Sequence, residues 1–488
     1  MKRILAILLA LMLILGAMSV ATAETADAKT PKYVFMFVGD GMGSPQISAT
    51  QYYLGTKENP DAAMPTPASL SFTNFENVGI MTTYDATSFC PDSASTATAM
   101  SSGEKTLSGV VNYNVDKSAP LKPITEYAKE AGKKVGVITS VSLDHATPAA
   151  YYAKVESRSQ YYDIAVQGLS GQTVDFFGGG SYLQPTGKEK DQKDILEIAR
   201  ETGFTVVDTA EGIRALTAES GRTLAVSPEL GGSQAMLYEI DRERRAPESL
   251  SLADFVQAGI RVLDNDNGFF LMTEGGKIDW SCHANDAKTS IMDTLAFSDA
   301  VQVAIDFAAE HPDETLIIVT GDHETGGLTI GFAATAYETH FNYLESQTIS
   351  FEDFDKVIAG LRDKGASFED ALTEIKAYYG LSTEPDQALT LTAEELAKIQ
   401  AAFDLSMQPA DARQLSDDQA LLYGGYEPLS MAVSHILNNK AGIAYTSYAH
   451  TGLQLPVYAQ GAGAALFIGS YDNTDIFQKT MNAMGLAA

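Results

Sequence analysis

The run Tyr33-Val34-Phe35-Met36-Phe37-Val38, followed at once by Gly39-Asp40-Gly41-Met42-Gly43, is where the fold can be read. An unbroken apolar run rich in aromatic and β-branched side chains is a strand buried on both faces, the habit of parallel sheets covered by helices. Glycines then break it and an aspartate sits at its carboxyl end. As a dinucleotide fingerprint the loop fails, because Ser44 stands where the third glycine of GxGxxG belongs. An acid inside the turn would also repel a pyrophosphate. The same residues serve either a plain glycine-rich turn or a carboxylate placed where backbone can close around a cation, and the loop alone does not choose.

Working outward, residues 134–138, 269–272 and 316–319 repeat the pattern of a short, β-rich apolar run. Helical periodicity covers 124–131, 250–263 and 474–484. This alternation predicts an α/β fold, a three-layer sandwich around a large, mostly parallel central sheet. Residues 333–439 differ: they are charged and helical over 351–364, 368–379 and 392–403, the last opening with a Thr-Ala-Glu-Glu cap. They are expected to form a helical cap or crown insertion at an interface, dividing an α/β domain of residues 24–332 and 440–488. No internal repeat is present.

Each predicted strand ends in polar residues. The first runs into Asp40 and the second into a loop with His145 and Thr147. The third runs into Glu274 and Asp279, and the fourth into Asp322 and His323. In open α/β sheets ligands bind at the carboxyl ends of strands, so these loops point to one convergent site.

The amino terminus reads as an export leader over residues 1–23. Lys2 and Arg3 precede an apolar stretch at 4–15, and Ala21-Thr22-Ala23 forms a small-residue cleavage site. The apolar stretch is short of the roughly 20 residues a spanning helix needs. No cysteine follows for a lipid anchor, and residues 481–488 carry no hydrophobic tail. A periplasmic or extracellular protein without a stable membrane anchor is the expectation. Losing Lys2 and Arg3 takes the formal net charge from −30 to −32. That balance excludes a nucleic-acid partner, which calls for a basic face. The two cysteines, Cys90 and Cys282, are open to pairing or to existence as free thiols.

Ser93 lies in Pro91-Asp92-Ser93-Ala94-Ser95-Thr96-Ala97-Thr98-Ala99, with Gly103 as the helix stop. Asp92 or Ser93 serves as an N-cap, or Ser93 is a nucleophile where helix N–H groups face an anion. No Gly-x-Ser-x-Gly elbow pairs it with a histidine, so a nucleophilic Ser93 needs metal activation. Ligand types for that are plentiful. Asp279 and His283, four apart, share a helical face. Asp322 and His323 follow a strand, and His450 precedes Thr451-Gly452. Carboxylate with imidazole suits catalytic zinc, whereas Glu274 and Thr147 offer harder donors for magnesium. His311, His340 and His435 are left as surface or satisfied residues. The sequence at 264–268, Asp-Asn-Asp-Asn-Gly, imitates a calcium loop, but its glycine comes one position early and a turn is expected.

Taken together, the strings Gly-Asp-Gly-Met-Gly at 39–43, Pro-Asp-Ser-Ala at 91–94, His-Ala-Thr-Pro-Ala at 145–149, Ser157-Arg158, Glu274-Gly275 through Asp279 to His283, Asp322-His323 and His450-Thr451-Gly452 resemble the alkaline phosphatase family. The resemblance runs in order from Asp40 to His450. It implies that Asp279, His283 and His450 hold one zinc, and that Asp40, Asp322 and His323 hold a second beside Ser93. Asp40, Thr147 and Glu274 would surround a magnesium, while Arg158 would grip phosphate bidentately. Ser93 would then form a phosphoserine on the way from a phosphate monoester to alcohol and phosphate, with activity fading in acid as ligands protonate. A homodimer is implied as well.

Two positions depart from many well-known bacterial members, which carry Asp where His145 stands and Lys where Trp280 stands. Nitrogen at His145 favours zinc or cobalt over magnesium at the third site, and Trp280 offers phosphate no cation, so looser binding and easier release are expected. Two other readings remain open: a phosphodiesterase of the same superfamily, and an exported metal- or phosphate-binding protein without chemistry. A sulfatase is disfavoured because Ala94-Ser95-Thr96 after Ser93 does not match Cys/Ser-x-Pro-x-Arg.

Overall fold

A computed structural model describes residues 30–385 and 387–487. Its main sheet has strands β1 (Tyr33–Gly39), β2 (Asn77–Thr82), β3 (Lys134–Thr139), β4 (Phe176–Gly179), β5 (Thr205–Val207), β6 (Thr223–Val226), β7 (Phe269–Glu274), β8 (Thr315–Gly321), β9 (Leu455–Gly461) and β10 (Gly469–Asp472). They lie in the order β10-β2-β9-β8-β1-β7-β3-β4-β6-β5. β9 runs antiparallel to both neighbours, and every other pairing in the sheet is parallel.

β1 shows why the fold takes three layers. Every residue of it is buried. Val34, Met36 and Val38 enter a core on one face of the sheet, and Tyr33, Phe35 and Phe37 enter a core on the other. The first core is closed by helices Ser93–Ser102, Ile124–Glu130 and Thr474–Ala483, and the second by Leu252–Leu263 and Ala287–Glu310. Each fully buried Phe adds about 2–3 kcal/mol of apolar burial. Phe35→Ala would therefore open a cavity costing about 3–5 kcal/mol. The expected α/β sandwich with a mostly parallel sheet is what forms.

The predicted strands reach further than their apolar cores. β7 continues through Thr273 and Glu274, both buried, and β8 continues through Thr320 and Gly321. These polar ends are held by ladder bonds, with Val38 opposite both Glu274 and Thr320.

The helices Phe351–Lys364, Phe368–Tyr379 and Ala393–Ser406 match the helical periodicity read at 351–403, and Thr392 caps the last through a reciprocal bond with Glu395. With Pro428–Ala441 they build a third core around Phe354, Ile358, Ile375, Tyr379 and Leu437. That core also takes Ala49, Tyr53, Ala287 and Ile291 from the sheet-covering helices. Its chain ends meet where Thr329–Ile330 pairs antiparallel with Ile443–Ala444.

Cys90 is exposed and Cys282 buried, both as free thiols, which resolves the open question of pairing. The 264–268 segment is a turn: Gly268 takes φ +74°, where a side chain would collide with the Lys32 carbonyl. Among the described residues no helix is long and apolar enough to cross a membrane. The expected leader lies outside the described residues.

Candidate metal centre

The carboxyl ends of β1, β3, β7 and β8 converge. Asp40 follows β1 in a tight turn in which Gly41 (φ +72°) passes so close to the Asp279 backbone that a Cβ would lie 2.8 Å from its Cα. Gly41 N donates to Asp322 Oδ1 (3.1 Å), so the turn also orients the acid that follows β8. Ser93 opens its helix, with Asp92 as N-cap accepting from Ser95 N (3.0 Å) and Gly103 ending it in the left-handed region. Ser93 Oγ lies 3.5 Å from Asp40 Oδ1 and 3.1 Å from His323 Nε2.

Three linked groups of ligand atoms lie here, each with members within 4.8 Å of one another: Asp279–His283–His450, Asp40–Asp279–His323 and Asp40–His145–Glu274. Asp279 and His283 share one face of the Lys277–His283 helix, with His283 Nε2 3.3 Å from Asp279 Oδ2. His283 Nδ1 and His450 Nδ1 donate to the backbone carbonyls of Tyr448 and Pro91, each at 2.6 Å. A carbonyl only accepts, so each Nδ1 carries a proton and each Nε2 is the atom left to face an ion. The Nε2 atoms stand 3.0 Å apart. Asp322 Oδ2 lies 3.3 Å from His323 Nε2 and accepts from Thr96 Oγ1 (3.2 Å).

In the third group, His145 Nδ1 lies 3.5 Å from Glu274 Oε1 and 3.9 Å from Asp40 Oδ2, and Thr147 Oγ1 lies 3.4 Å from Asp40 Oδ2. His145 Nε2 meets Arg158 Nη2 at 3.0 Å, and Arg158 Nη1 donates to Asp92 Oδ2 at 2.9 Å. Trp280 places its ring edge-on to His145 with centroids 5.9 Å apart. Every candidate catalytic, metal-ligating or substrate-side residue named from the sequence thus sits in one connected neighbourhood.

The donor set fits cations. Asp40, Glu274, Asp279 and Asp322 are at most 3% exposed. Like charges about 4 Å apart repel by roughly 4 kcal/mol at a surface-like dielectric. Without compensation the acids resist ionising. Burial, then Asp322, Asp279 and Glu274, push Asp40 well up, while burial and then Asp279 raise Asp322 to about 8. Asp279 is the exception: burial works against it, but His283 holds it well below the usual carboxylate range. Burial also disfavours the charged His283, yet Asp279 lifts it to about 9. Glu274 Oε1 is buried without a hydrogen-bond partner among the described residues, as an atom awaiting a metal bond would be, whereas Arg158, which can only donate, meets His145 Nε2 and leaves the proton of a neutral His145 on its unpartnered Nδ1.

The sequence reading passed over several hydroxyls that hold these ligands. Thr325 Oγ1 bonds Asp279 and lies 3.2 Å from His323 Nδ1. Thr139 Oγ1 donates to Glu274 Oε2, and Thr96 reaches Asp322. Only Thr325 carried a signal, standing two residues after His323 at the same strand end.

Fold and site define an α/β protein with buried carboxylate–imidazole clusters that could bind metal close to a helix-start serine. The family model for alkaline phosphatase matches residues 31–486. Alkaline phosphatase 4 of Bacillus subtilis is 30% identical over 468 residues, covering 93% of this chain and 89% of that protein. Alkaline phosphatase 3 of the same organism is 30% identical over 465 residues, with coverage of 93% and 89%. Among solved structures, the cold-active alkaline phosphatase of a Shewanella species superposes with a TM-score of 0.75 at 26% identity, covering 93% of this chain and 99% of that one. The Thermus thermophilus enzyme gives 0.75 at 26% identity, with coverage of 96% and 95%. The chain belongs to the alkaline phosphatase family, and it is a hydrolase of the phosphatase class with buried clusters able to bind metal.

Proposed function

We propose that this protein hydrolyses phosphate monoesters to an alcohol and inorganic phosphate, with Ser93 as the nucleophile. The observation that carries this reading is Ser93 Oγ at a helix start, between Asp40 Oδ1 (3.5 Å) and His323 Nε2 (3.1 Å). Asp279, His283 and His450 would hold one zinc, and Asp40, Asp322 and His323 a second. Asp40, Thr147 and Glu274 would hold a third ion, magnesium by its oxygen donors, with zinc or cobalt as competitors because His145 adds nitrogen. A solved histidine-to-glutamate variant of the enzyme from the Antarctic bacterium TAB5 has magnesium bound in its M3 site, which is consistent with a carboxylate favouring magnesium there. Bound ions of this kind supply Lewis acidity and lower the pKa of a coordinated hydroxyl or water.

The chain's own residues do the rest. The Ser93 Oγ–phosphorus bond forms as the phosphorus–oxygen bond to the alcohol breaks in line. Water then attacks the phosphoserine, freeing Ser93 and phosphate. Arg158, braced by Asp92, and the helix-start N–H groups neutralise the non-bridging oxygens. An arginine so placed suits the extra anionic oxygen of a monoester over a diester. Export through a leader at 1–23, a homodimer, and residues 333–439 as an interface insertion belong to the same proposal and rest on the family resemblance.

Turnover of an aryl phosphate at alkaline pH, abolished by a chelator and exceeding that of the matching diester, is the expected result. Ser93→Ala should lower turnover at least about a thousandfold while phosphate and zinc still bind. Undiminished turnover in that variant would defeat the mechanism, and preferred diester cleavage would favour the phosphodiesterase reading.

A further inference from the structure

We propose that Lys277 is a positioning residue for Trp280, and through that ring for His145 and Arg158, and that Glu352 of the helical 333–439 segment sets its place. The inference rests on the monoesterase reading above only for its kinetic arm.

Lys277 opens the helix that carries Asp279, Trp280 and His283, yet its side chain is 1% exposed. Its ammonium lies 3.4 Å from the Tyr238 ring centroid and 5.1 Å from that of Trp280. Lys277 and Trp280 are three apart, so they share a helical face. The nearest carboxylate is Glu352 Oε2, at 3.7 Å, and Nζ has no hydrogen-bond acceptor among the described residues. Glu352 stands in the first turn of Phe351–Lys364 and is itself fixed, its Oε1 accepting from Gly232 N (2.8 Å) and Lys356 Nζ (3.3 Å). A buried ammonium without hydrogen bonds is costly, and an apolar residue would fill the space at less expense. What the charge adds is attraction to two ring faces at once.

The rings lead into the centre. Trp280 packs beside Tyr238, Met292 and Phe351, the last from the same insertion helix as Glu352. Its other flank meets His145 edge-on, and His145 Nε2 touches Arg158. One contact path therefore joins Glu352 to the guanidinium facing substrate, by way of Lys277, Trp280 and His145.

Trp280 is the only tryptophan of the chain, so its fluorescence reports this contact directly. The test uses the metal-loaded protein as parent, Lys277→Met, Lys277→Arg and Glu352→Gln, with and without inorganic phosphate. Lys277→Met should shift emission to longer wavelength and increase quenching by acrylamide. It should also weaken inhibition by phosphate about fivefold with kcat changed less than about twofold, the pattern of lost positioning in the bound state. Lys277→Arg should restore parental behaviour, because a guanidinium keeps both ring contacts. Glu352→Gln, on a residue partly exposed and therefore tolerant, should move emission the same way by a smaller amount, and should add nothing in the Lys277→Met background. Unchanged emission and phosphate inhibition in both Lys277→Met and Glu352→Gln overturn the proposal, whatever happens to Tm. If Lys277→Met fails to fold, Glu352→Gln decides alone. A parent lacking phosphatase activity would count against the proposed function, whereas emission without substrate would still judge the Lys277 contact.

Discussion

The Asp279–His283–His450 group and the Asp40–His145–Glu274 group are linked through Asp40, Asp279 and His323 but are held differently. In the first, both imidazoles donate Nδ1–H to main-chain carbonyls, which aims both Nε2 atoms at one point, where an ion would displace the second proton that Asp279 keeps on His283. In the second, His145 Nδ1 has no such anchor and Nε2 is engaged with Arg158. Anchored ligands are preorganised, so the reaction can depend on them at every turnover. If Arg158 grips phosphate as proposed, an unanchored imidazole in contact with it is suited instead to setting which ion sits there and how firmly phosphate stays.

The strongest way to break that contrast is to truncate one histidine from each group. His283→Ala should cost about a thousandfold in kcat/KM, the loss of several kcal/mol of charge stabilisation, and zinc binding measured by dialysis should fall with it. His145→Ala should cost only about tenfold, as expected for a supporting ligand. Equal losses would mean that anchoring does not separate the two groups. His145→Asp sharpens the contrast with a smaller effect. An oxygen donor replaces nitrogen, so magnesium should activate the variant about tenfold more than the parent, read by titrating the metal-stripped protein. An unaltered magnesium response would detach His145 from the third ion.

The same contrast marks what could be read in the sequence. β1, β3, β7 and β8 were legible because the middle of a strand buried on both faces is an unbroken apolar run, although their ends are polar. The helix at 393–406 was legible because Thr392 and Glu395 leave a capping pattern. β4 and β5 were not, since four and three residues carry no period. β9 was hidden because its half-open face holds Pro456 and Tyr458, which break the apolar run. The ligands themselves could be picked out as carboxylates and imidazoles at strand ends. Their supports could not: Thr139, Thr96 and Thr325 act through hydroxyls that look like any strand or helix threonine, and His283 and His450 are anchored by carbonyls of Tyr448 and Pro91, to which side-chain identity is irrelevant. Lys277 is the extreme case, a lysine whose sequence context gives no sign of burial.

The smallest expected effect tests whether repulsion among the carboxylates is what an ion relieves. In the metal-free protein burial and then Asp279 raise Asp322 to about 8, whereas an unfolded aspartate titrates about four units lower. His283, although burial opposes its charge, is lifted to about 9 by Asp279, against about 6.5 unfolded. From about pH 7 to pH 9 Asp322 and His283 therefore still hold protons that the unfolded chain has released, and this pair makes stability fall as pH rises through the window, against an opposite contribution from Lys133 and Lys288, which burial lowers to about 8. His323 and His450 shift the other way, chiefly through burial, but their folded values lie below 6.5 and their contribution is complete before the window opens. Thermal unfolding of the metal-stripped protein should show Tm declining between pH 7 and pH 9. Added zinc, which replaces those protons as the neutralising charge, should raise Tm more at pH 9 than at pH 7. The Asp322→Asn variant should flatten the metal-free decline, and a decline as steep as the parent's would mean that the charge cluster is not its source.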